Sequence, residues 1–109
     1  MNMDANESWF IQTLWNPLAS DADVESSIEV LEVLLSVESL PSLVAIMKER
    51  ARSGNLRERA ARAIKVIGAK PVREHLVALR ESGSQELIRL ANIALGSAAG
   101  TKEEKDPRR

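Results

Sequence analysis

The chain has 109 residues and a formal net charge of −1, which suits one domain with a modest core. It has no Cys and one His, so a disulfide framework, a thiol nucleophile, a cysteine-bound zinc and a clustered imidazole site within one chain are all excluded. Hydrophobic residues make up 44% and charged residues 28%, an ordinary globular balance, and no apolar run reaches the roughly 18–20 residues a bilayer span requires.

The first ten residues, MNMDANESWF, carry Asp4 and Glu7 and no basic residue, so no secretory signal is expected and the expected setting is cytoplasmic. A first helix is predicted over 7–16, broken by Pro17. Ile11, Leu14, Trp15 and Leu18 share one helical stripe, which predicts a core position for Trp15. Trp9 falls nearly opposite that stripe and is predicted to be exposed, where a Trp is a typical contact anchor.

A second helix is predicted over 21–37, with Ser20 and Asp23 at its start and Val24, Ile28, Leu31 and Leu35 at helical spacing. The third, over 40–52, takes Pro41 in its first turn. The fourth, over 55–67, begins with Asn55 and Glu58 at capping-box spacing and stops at Gly68. Pro71 opens the fifth, over 71–82, and the Ser82–Gly83–Ser84 step separates it from the sixth, over 85–98. Residues 101–109, TKEEKDPRR, contain no apolar side chain and are expected to be a disordered charged tail behind a single domain of residues 1–100.

The helices pair as three hairpins with a period near 31 residues: Leu56 recurs as Leu87, Ala60 as Ala91, and Ala63 with Ile64 as Ala94 with Leu95. Residues 55–68, NLRERAARAIKVIG, resemble the second helix of a HEAT repeat, with an aliphatic residue, an Arg, Ala pairs and an aliphatic–Gly stop in the family's places. The likeness is good over residues 40–100 and weak over 8–38, where the Ala pairs are missing. It implies an all-α, α-α superhelix: a short solenoid of about three antiparallel hairpins and six helices, whose second helices line a concave binding surface. It also implies a role for Arg57 as the repeat arginine, bonded to an acid of a neighbouring repeat. The acid place before Leu56 is Ser53, and the first repeat has the acid, Asp21, but Glu25 in the Arg place, so an unbroken ladder is not expected.

The charge divides along the chain. Residues 1–47 hold eight acids and no Lys or Arg; residues 48–109 hold all fifteen Lys and Arg against the other eight acids, a balance of +7. On the concave surface that the resemblance implies, Arg59, Arg62 and Lys65 would form a basic patch beside the acids Glu25, Glu29 and Glu32, with Glu58 able to pair with Arg62 at i,i+4. The three basic residues Arg59, Arg62 and Lys65, the three acids Glu25, Glu29 and Glu32, and Trp9 are the candidate partner-binding residues. No G-x-S-x-G, no Gly-rich phosphate loop and no held carboxylate pair occurs, so neither catalysis nor a cofactor is expected. The expected function is a protein–protein interaction scaffold. The alternative is self-association, with the acidic end of one copy meeting the basic end of another. Nucleic-acid binding is the weakest reading: phosphate affinity grows with the number of cations engaged, and all three aromatics lie in the acidic part, away from the basic cluster.

Overall fold

In the computed structural model, which describes residues 5–96, six α-helices follow one another. They are α1 (Ala5–Trp15), α2 (Asp21–Val33), α3 (Leu40–Lys48), α4 (Gly54–Ile67), α5 (Arg73–Arg80) and α6 (Gln85–Leu95). Short 3-10 turns at Val37–Ser39 and Lys70–Val72 lead into α3 and α5. The charged tail expected over 101–109 lies outside the described residues.

The starts of the three second helices are set alike. Ser20, Ser53 and Ser84 each hold an extended backbone, and each hydroxyl accepts from the backbone N–H three residues on. A serine N-cap satisfies one of the donors that a helix start leaves open, a contribution of about 1 kcal/mol. The cap of α4 is therefore Ser53 and not Asn55, which sits inside the first turn.

The ends differ more from expectation. Helix α2 stops at Val33, not at 37: the Ser36 N–H bonds to Leu31 O and the Leu35 N–H to Glu32 O, both at 3.0 Å. This is a Schellman ending with Leu35 in the left-handed place, at φ 53°, which glycine normally fills. Helix α3 stops at Lys48 and not at 52, because Glu49 turns extended and its carboxylate accepts from the Ala51 N–H. Helix α6 stops at Leu95 and not at 98, because Gly96 takes a left-handed φ of 82°.

Helices α2, α4 and α6 stack side by side in one layer; α1 and α3 pack beside each other in the other, continued by the turn at 70–72 and by α5, which lies on α6. The described body measures 44 × 32 × 19 Å, and its smallest dimension is that of two helix layers. Between the layers lie Val24, Ile28 and Leu31 of α2, Leu40, Leu43 and Met47 of α3, Ile64 of α4, Leu76 of α5 and Leu90 of α6, all with no exposed surface. Each such aliphatic side chain contributes about 1.5–3 kcal/mol by leaving water. The all-α hairpin architecture is thus the one the sequence predicts.

Trp15 is a correction: it is 56% exposed. The buried arc of α1 centres on Leu14, flanked by Phe10 and Ile11, and Trp15 is one position on from Leu14, about 100° further round the helix. Leu18 lies in the turn after Pro17, not on the stripe, and is 91% exposed.

Candidate functional site

Arg57 is 7% exposed. Its Nε donates to the Met47 carbonyl at 2.8 Å, satisfying an acceptor at the end of α3, and its Nη1 meets Glu86 of α6 at 2.8 Å. One guanidinium therefore joins both layers and two successive hairpins. Its fork supplies the separate donors that a Lys lacks.

Arg52 performs the matching task at the first junction, and the sequence pattern did not single it out. Its Nη1 donates to the Ala19 carbonyl at 2.7 Å and to Asp21 at 3.0 Å, and its Nη2 donates to the Asn16 carbonyl at 3.0 Å. Asp21 also accepts from the Ser53 N–H. The Arg52 hydrogen bond holds the Asp21 carboxyl below its ordinary value. The repeat acid of the first hairpin thus has an arginine partner, but that partner lies one residue before the next helix cap. A pattern that places the arginine inside the helix passes over it.

The candidate basic patch on α4 divides. Arg59 approaches Glu32 of α2 to 2.6 Å, with both side chains mostly covered. The contact is a close charge pair and not an aligned hydrogen bond, since Glu32 Oε1 has no donor in line. Arg62 pairs with Glu58 at 3.0 Å, as its i,i+4 spacing predicts, and Glu58 also receives Arg89 of α6 at 3.3 Å. Arg62 first and Arg89 second draw the Glu58 carboxyl below its ordinary value. Arg59, Glu32, Glu58 and Arg89 therefore tie α2 to α4 and α4 to α6. Glu25 and Glu29 on α2 and Lys65 on α4 stay exposed and make no ion pair with another described residue. The stem of Lys65 lies 4.0 Å from where a Cβ on Gly96 would stand, beside the end of α6.

Trp9 is 60% exposed, as its place on α1 predicts, and stacks edge-on against Phe10 with centroids 5.1 Å apart. With Phe10, Thr13, Leu18 and Asp23 it lines a groove of about 490 Å³ between α1 and α2. A second apolar groove, of about 290 Å³, lies on the opposite layer between Trp15, Pro41, Val44, Pro71 and Val72, with Lys48 and His75 at its edge.

No described helix is long and apolar enough to cross a membrane. Comparison with protein-family models, curated proteins and solved structures returns no match, so the likeness to HEAT repeats rests on this chain's own residues.

Proposed function

We propose that this chain is a non-catalytic protein-interaction module, which meets another protein with the groove between α1 and α2 and the exposed charges next to it. The carrying observation is Trp9, held in the open on a regular helix beside a groove that also exposes Leu18, within a stretch free of Lys and Arg. An exposed Trp beside an apolar groove and acidic groups suits a partner that brings an apolar side chain flanked by cations. Glu25 and Glu29 on the same helix layer add to the acidic side, and Lys65 offers the one cation of the α4 patch without an internal acid. Arg59 and Glu32 serve the seam between α2 and α4, and Arg62 is engaged by Glu58 of its own helix, which ranks all three below Trp9. The likeness to HEAT repeats and a cytoplasmic setting belong to the same proposal; the stacking of α2, α4 and α6, with Ala60 and Ala91 fully buried, supports the former.

The test is affinity capture from the native source with the natural chain and with Trp9→Ala, each checked for helical content. Binding of the captured protein is then measured with purified components at low and high salt. The expected result is loss of binding in Trp9→Ala and weaker binding of the natural chain in high salt. Unchanged binding by a folded Trp9→Ala chain overturns the reading.

A further inference from the structure

The exposed large apolar side chains that the Trp9 groove leaves unused fall mainly into two places. One is the exposed projection at the end of α2, where Val33 is 82% exposed and Leu34, Leu35 and Val37 are about half exposed. The other is the Trp15 groove on the first-helix layer.

The projection is held firmly. Ser36 is buried, its hydroxyl donates to Glu7 of α1, and its carbonyl accepts from both the backbone N–H and the hydroxyl of Ser39. A β-unbranched but bulky Leu35 in a left-handed conformation is uncommon, and strain of this kind points to a use for the residue that occupies it. The groove is concave and apolar, with a cation in its lining. Its volume suits a few aliphatic side chains, and its edge carries Lys48 and His75, neither of which pairs with a described residue. The projection ends in the exposed acid Glu38. The two features also adjoin: Val37–Ser39 leads directly to Pro41, which lines the groove.

We infer that two copies of this chain dimerise by exchange, the projection at residues 33–37 of each entering the Trp15 groove of the other. A surface that carries a knob beside a matching hole is self-complementary, so a two-fold axis makes the contact twice and closes the assembly. Glu38 of one copy then lies at the Lys48 edge of its partner. The contact leaves the Trp9 groove open, so it is independent of the interaction reading above.

Sedimentation of the full chain over a range of concentrations tests this. The expected result is a reversible dimer whose dissociation constant rises at least tenfold in Trp15→Ala, in Leu35→Asp and in Lys48→Glu, with helical content kept. The charge-swapped pair Lys48→Glu with Glu38→Lys is expected to recover most of the lost affinity, which a merely structural role for either residue does not produce. Either a monomer at the highest soluble concentration or a dimer indifferent to these changes overturns the proposal. A third result also overturns it: a monomer whose Trp15 emission, read in a Trp9→Phe background, shifts with a synthetic peptide of residues 33–38. That result assigns the groove to another protein's segment of the same chemistry.

Discussion

At one repeat position α2 carries Ile28, α4 carries Ala60 and α6 carries Ala91, and all three are fully buried. At that position the first hairpin uses a branched side chain and the later two use a small one, which lets helices approach closely. The same contrast recurs at the helix ends, where α4 and α6 stop on Gly68 and Gly96 and α2 stops on Leu35. It recurs again in charge, since the first hairpin has no Lys or Arg of its own and receives Arg52 and Arg59 from the second. Most of the exposed large apolar side chains lie before residue 38. The later hairpins are built for stacking, while the first gives up part of that regularity for exposed contact surface.

Exchanging the two solutions at that position gives the largest effects. Ile28→Ala removes a fully buried branched chain and leaves a cavity, so a loss of about 3 kcal/mol in urea unfolding is expected. Ala60→Ile, the reverse change on α4, overpacks the layer between α2 and α6, with an expected loss of about 2 kcal/mol. If Ala60→Ile is neutral while Ile28→Ala is costly, the small residues of α4 are not what sets the seam.

The next effect has the opposite sign. Leu35→Gly relieves a left-handed leucine, partly offset by the greater freedom of glycine in the unfolded chain, for a net gain of about 0.5–1 kcal/mol. Calorimetry should show a midpoint higher by a few degrees. The same change should weaken the dimer, so stability and association move apart in one variant.

The parts of the fold that could be read in the residues are those with local chemical markers. Pro17 marks the break after α1, Gly68 marks the end of α4, and Ser20 and Ser84 mark the starts of α2 and α6; the Ser53 cap of α4 escaped because Asn55, two residues on, offers the same capping chemistry. The end of α2 escaped because its left-handed residue is leucine, and the aliphatic run there has the spacing of a continuing helix. Trp15 escaped because a stripe drawn through Leu18 assumes that the helix survives Pro17, and it does not. Among the site residues, the exposure of Trp9 and the Glu58–Arg62 pair followed from position on one helix. The pairs Arg52–Asp21, Arg59–Glu32 and Arg57–Glu86 join residues some 30 positions apart, and only the stacking register decides which acid meets which arginine.

The smallest effect separates the two seams by pH. Asp21 sits at the first junction and Glu58 at the second, and arginines hold both carboxyls below their ordinary values: Arg52 for the first, Arg62 and then Arg89 for the second. A carboxyl whose value is lowered by folding stabilises the fold fully above its unfolded value, and that contribution is lost as pH falls through the lowered one. The urea midpoint is therefore expected to decline from about pH 5 toward about pH 3, the range below the ordinary carboxylate values. Asp21→Asn and Glu58→Gln should each flatten that decline, and together more than either alone, because the two groups share no partner. Both pairs are partly solvated, so each share is small and shrinks further in salt. If Asp21→Asn leaves the acid limb unchanged while Glu58→Gln flattens it, the first junction is held by packing and by the carbonyl contacts of Arg52, and charge matters only where the later hairpins meet.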